Sequence, residues 1–175
     1  DGALKLIRGA IQLDPTAGYQ GSLLGKIHQG AGNLPEALTA QERTIRLMPS
    51  DASAWSLLAE IRQTQHLTAL ARSAYCSAIQ LTPLSLRALL GFACGLANAG
   101  DQARAYCWFS RARYVQPQSQ RAWPPLFDSL IDLGRYQEAF EILKHQITLC
   151  PNLPKVYLQR AGVEILLDQP LVALK

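Results

Sequence analysis

Charge is scarce in this chain. Only 17% of its 175 residues are Asp, Glu, Lys or Arg, against about a quarter in ordinary globular domains. The 17 basic and 13 acidic residues leave a net +4, too weak a bias to argue for nucleic acid. No run of about 18 apolar residues exists, so membrane insertion is not expected. The longest candidate, Ala88 to Ala99, is broken by Gly91, Gly95 and Asn98. No charged-then-apolar leader opens the chain. No Asn-x-Ser/Thr sequon occurs, and the four cysteines (Cys76, Cys94, Cys107, Cys150) show no paired spacing. That excludes the usual zinc patterns and a disulfide framework, and it fits a reducing, cytoplasmic setting, with the periplasm left open. Neither a phosphate-binding glycine loop, an HExxH helix, a nucleophile elbow nor a Ser/His/Asp arrangement is present. The expectation is a non-enzymatic chain with no cofactor, metal or catalytic residue.

What is present is a period. Prolines stand at Pro15, Pro49, Pro83, Pro117 and Pro151, always 34 residues apart. Alanines follow the same step at Ala3, Ala37, Ala71, Ala105, Ala139 and Ala173. A branched apolar residue lies two before each proline, and glycine recurs at Gly32, Gly100 and Gly134. A fixed period of this length is the signature of a stacked repeat.

Each periodic residue has a physical task. Between prolines the apolar residues recur at three- and four-residue steps, which is helical. The glycine stops one helix by allowing positive φ, and the polar residue after it (Asn33, Asp101) is expected to cap the next. The proline ends the second helix, because it lacks an N–H and drives its predecessor out of helical geometry. Alanine at one register implies close helix–helix approach. The unit is helix, tight turn, helix, proline turn. With 49% hydrophobic residues, the apolar material forms a seam between stacked helices.

These residues resemble the tetratricopeptide repeat family. Trp55-x2-Leu58-Ala59 and Ala71-x3-Tyr75-x2-Ala78 with Pro83 match its two helices, and Ala105-x3-Phe109-x2-Ala112 with Pro117 is the closest copy of the second. Trp123-x2-Leu126 and Ala139-x3-Leu143 carry a further copy. The resemblance implies an all-α fold, a right-handed α-α superhelix of 34-residue helix-turn-helix repeats. As one solenoid, residues 1–17 are a lone second helix, 18–51, 52–85, 86–119 and 120–153 are full repeats, and 154–175 are a first helix plus the start of a second. No polar capping is visible at either end, as a solenoid's terminal repeats require. The chain is therefore expected to be a piece of a longer array, or to have its ends covered by a partner or a second copy.

The resemblance also implies that the first helices of the repeats line a concave groove for a peptide or helix of a partner protein. Carried over by position, the groove residues include Tyr19, Lys26, Gln29, Glu60, Gln63, Arg87, Leu90, Asn98, Arg121 and Asp128. Lys26, Arg87 and Arg121 are candidates to pair with acidic groups. The family's carboxylate clamp is absent: its lysine and asparagine positions hold Ser22, Ser56, Leu90, Pro124 and Leu158, and Lys26, Glu60, Cys94, Asp128 and Gly162. The mixed polar and apolar groove suits an amphipathic segment. An alternative is the recognition segment of a larger multidomain protein, such as a bacterial glycosyl- or sulfotransferase or a polysaccharide-export component. RNA binding is disfavoured by the 34-residue register and the small charge.

Single residues carry further expectations. Trp55 and Trp123 belong to the core, and His28 packs between helices. Asp128 and Asp132 form a solvated face. Cys94 is the thiol a reagent should reach. Pro124-Pro125 should make its helix start late or bend.

Overall fold

The computed structural model describes residues 2–14 and 18–168; Pro15 and Ala173 of the periodic positions, and the end of the last partial repeat, where the start of a second helix is expected, lie outside them. Among the described residues there are ten helices and no strand. They fall into two compact units, Asp1–Gly95 and Leu96–Lys175.

The first unit holds α1 (Gly2–Leu13), α2 (Gly18–Gly30), α3 (Leu34–Leu47), α4 (Ala52–Thr64), α5 (Thr68–Leu81) and most of α6 (Leu86–Asn98). Helices pack as consecutive pairs, α2 on α3 and α4 on α5. Ala37 and Ala71 are fully or almost fully buried, as the periodic alanines predict. Leu58, Ala59, Ala74, Tyr75, Ala78 and Ala88 form one cluster, with Trp55 and Phe92 packed against it. The second unit holds the end of α6, then α7 (Gln102–Val115), α8 (Trp123–Asp132), α9 (Tyr136–Leu149) and α10 (Pro154–Asp168). Its core is Leu130, Ala139, Leu143, Val156 and Val163, and Ala105 and Ala139 are again fully buried.

The turns follow the sequence logic. Helices α3, α5, α7 and α9 each end two residues before a periodic proline. The residue between (Met48, Thr82, Gln116, Cys150) adopts φ from −133° to −139° and ψ from 73° to 87°, because a following proline excludes helical angles. Gly32, Gly100 and Gly134 have φ of 78°, 81° and 69°. In the remaining repeat the same register holds His66, at φ 60°. All four turns close with one backbone bond spanning five residues: Asn33 to His28, Leu67 to Arg62, Asp101 to Leu96 and Arg135 to Leu130. This is the Schellman pattern, which needs a left-handed residue one before the donor.

Capping departs from expectation at one site. The Asp101 carboxylate accepts from the Arg104 N–H, as predicted, but Asn33 makes no side-chain cap bond. Instead Asp51, outside the glycine turn, accepts from the Ser53 N–H at 2.8 Å and caps α4. The double proline acts as expected. Helix α8 begins at Trp123, three residues later than the 34-residue step from α6 would place it. Pro124 and Pro125 occupy its first turn, where N–H groups have no helical acceptor to lose.

Candidate functional site

In the first unit, α2, α4 and α6 carry the predicted groove residues. Tyr19 is 67% exposed on α2, with Leu23 and Lys26 exposed beside it. These positions, i, i+4 and i+7, share one helix face. Gln29 is half-buried at the end of the same helix. The opposite face of α2, with Gly21, Leu24 and His28, packs toward α3; His28 is buried, as expected.

Helix α4 supplies Glu60 and Gln63, and α6 supplies Arg87 and Leu90, all half-buried. Arg87, a candidate to pair with an acidic group, finds one within the chain: its Nε and Nη2 donate to the two carboxylate oxygens of Glu60, each at 2.5 Å. The fork-on-carboxylate geometry satisfies both groups within the chain. The Glu60 hydrogen bonds raise the Arg87 pKa above its usual value. Gln63 is also tied: its Oε1 accepts the Tyr75 hydroxyl at 3.1 Å. Burial, with Glu60 nearby, pushes the Tyr75 phenol well above its ordinary value, so it remains a donor. Gly91 faces the Tyr75 ring so closely that a Cβ there would overlap it.

In the second unit, Asn98 is exposed near the C-terminal end of α6, and Asp128 is exposed on α8. Arg121, placed by sequence in the first turn of a helix, stands in the turn before α8, because Pro124-Pro125 delay that helix. Partial burial raises the Asp128 carboxyl pKa; Lys155 on α10 opposes this and Asp132 adds to it.

A second spacing thus emerges that the 34-residue period conceals. Glu60 meets Arg87, and Asp128 feels Lys155, each 27 residues on. Each acid sits late on one first helix, and its base early on the next. Charge signs at this step could have been read from sequence. The thiol expectation is corrected. Cys76 and Cys107 are exposed, while Cys94 is only half-exposed and burial raises its pKa.

Chemically, the first unit offers exposed aromatic, aliphatic and cationic side chains on α2, and an internally neutralised Glu60–Arg87 pair between α4 and α6. The backbone design is that of a stacked helix-turn-helix repeat. Solved structures place it more narrowly: the chain has a tetratricopeptide-repeat fold. MamA shares 18% identity over 93% of this chain and 91% of its own, at a TM-score of 0.76. YrrB, described as a TPR protein with an unusual peptide-binding site, shares 13% identity over 93% and 84%, at 0.76. PilF of Pseudomonas aeruginosa shares 23% over 85% and 68%, at 0.74. No family model and no curated protein matches the sequence.

Proposed function

We propose that the chain is a non-enzymatic interaction scaffold whose first-helix faces hold a peptide or helix of a partner protein. The observation that carries this reading is the Tyr19, Leu23 and Lys26 stripe of α2, exposed where a packing role would bury it. A flat amphipathic phenol, an aliphatic group and a cation suit an amphipathic segment with an acidic residue. YrrB, whose fold is similar, supports the reading through its peptide-binding site. Within the second unit, the proposed binding residues are Asn98, Arg121 and Asp128. Glu60, Gln63 and Arg87 shape it, since their polar groups are spent on each other and on Tyr75.

Selection from a displayed random-peptide library tests this. Selected peptides should share an acidic and an apolar residue, and bind about tenfold more weakly to Tyr19→Ser and Lys26→Glu variants. Undiminished binding to both would remove α2 from the site. We further propose self-association through α10, where Leu158 and Ile165 are exposed on one face. Sedimentation at two concentrations checks it, and an unchanging monomer would count against it.

A further inference from the structure

Helix pairs in this chain are closed by a few fixed registers. Where α2 meets α3, Gly21 lies against Ala40 and Thr44, and Gly25 against Gln41. Those three second-helix residues are buried. One period on, where α4 meets α5, the first-helix places hold Trp55 and Ala59, and the second-helix places hold Ala74, Tyr75 and Ala78. Ala59 is 0% exposed and Tyr75 1%. A small residue on one helix receives a larger one from the other, so the two approach closely.

The first and last helices carry the same registers uncovered. On α10, four periods after Gly21 and Gly25, stand Tyr157 and Ala161. Tyr157 is 47% exposed, and Ala161 is exposed too. On α1, one period before Ala40, Gln41 and Thr44, stand Leu6, Ile7 and Ala10. Leu6 is 77% exposed, and Ile7 and Ala10 are half-exposed. Each of these helices does make the contact that joins successive pairs, α1 with α2 and α10 with α9. Among the described residues, each lacks the contact made within a pair. Helix α10 is a first helix without its second, and α1 a second helix without its first.

We propose that a second copy of the chain supplies the missing half: α1 of one copy packs on α10 of the next, as α3 packs on α2. Leu6 and Ala10 then lie beside Tyr157, and Ile7 sits on Ala161, repeating the fit of Tyr75 on Ala59. Two open halves of one interface, in register on one chain, select a second copy over an unrelated partner. The inference rests on the self-association proposed above through α10, and names the surface that α10 meets. The contact is head-to-tail, so copies add in series and do not stop at a symmetric dimer.

Sedimentation velocity of the full chain over a wide concentration range tests it. The sedimentation coefficient should climb past that of a dimer as concentration rises. Leu6→Glu and Ala161→Glu each put a charge at an exposed position, which keeps the fold and spoils one side of the junction. Each variant alone should associate at least about tenfold more weakly. An equimolar mixture of the two should form a dimer and stop, because one intact α10 face and one intact α1 face remain; the dimer would also show that both variants fold. Association left unchanged by Leu6→Glu but lost in Ala161→Glu would mean that α10 pairs with α10. That would overturn the head-to-tail contact and keep self-association through α10. A mixture of folded variants that stays monomeric would overturn the contact as well. An unmodified chain that is monomeric at every concentration would overturn both readings.

Discussion

The Trp123 indole Nε1 donates to the carbonyl oxygen of Pro117 at 3.1 Å. Trp55 does the same to Pro49 at 2.8 Å, and the Tyr157 hydroxyl to Pro151 at 3.0 Å. The proline that ends one repeat is thus bonded to the aromatic residue that starts the next, six positions on. Trp123→Phe keeps an aromatic ring but loses the donor and part of the indole's volume, and is expected to cost about 1–2 kcal/mol in urea unfolding. Trp123→Ala also opens a cavity and should cost about 3–5 kcal/mol. Equal losses in the two variants would show that the hydrogen bond, not the packing, dominates.

His66 is a side-chain-bearing residue in a turn the other repeats give to glycine, at φ 60°. Left-handed geometry costs an L-residue about 1–2 kcal/mol, part of which glycine loses again through its freer unfolded chain. His66→Gly should therefore raise stability by about 0.5–1 kcal/mol, read as a higher urea midpoint. A lower midpoint would mean that the imidazole makes a compensating contact.

The Glu60–Arg87 pair predicts a charge-reversal result. Each side chain is about one-third exposed, so the net gain is on the order of 1 kcal/mol or less. Glu60→Arg alone sets two guanidinium groups together and should destabilise. Adding Arg87→Glu should restore most of the loss, and failure to do so would deny that the two groups act as a pair.

Thiol chemistry should separate the cysteines. The thiolate is the reacting form, and burial raises the Cys94 pKa. Cys76 and Cys107 are expected to react with a disulfide reagent near neutral pH before Cys94, as peptide mapping of a quenched time course would show. Cys94 reacting first would contradict the buried setting.

Asp128 gives a pH effect of defined sign. Its folded pKa is raised, chiefly by burial, so the folded state favours the protonated acid. Stability from this group rises as pH falls through its folded pKa and is reduced above it. Asp128→Asn should therefore stabilise at neutral pH, with the advantage vanishing below about pH 4. In an NMR titration, Lys155→Ala should move the Asp128 midpoint higher and Asp132→Asn lower. The opposite movements would show that other groups govern this carboxyl.

The backbone was legible because its devices are single residue types at fixed positions. Proline, alanine and glycine each have one steric reason to recur, and the helix ends at Leu47, Leu81, Val115 and Leu149 follow. His66 escaped because only glycine was counted at its register, although the turn asks for a backbone angle and not a residue. The surface was less legible. Side chains such as Arg87 reach across to the preceding first helix, a distance set by packing rather than by the repeat length. Position alone could offer Arg87 to a ligand, and only geometry showed Glu60 already holding it. Arg121 moved off its helix because two prolines act on the residues before them.

The residues before the periodic prolines share nearly the same backbone angles at Met48, Thr82, Gln116 and Cys150. Such joints are interchangeable parts. Removing residues 49–82 would join Met48 to Pro83 through a junction that already has the right angles and the right neighbour. Gene rearrangement or laboratory splicing at these joints would alter the number of helix pairs without asking any peptide bond to take a new conformation.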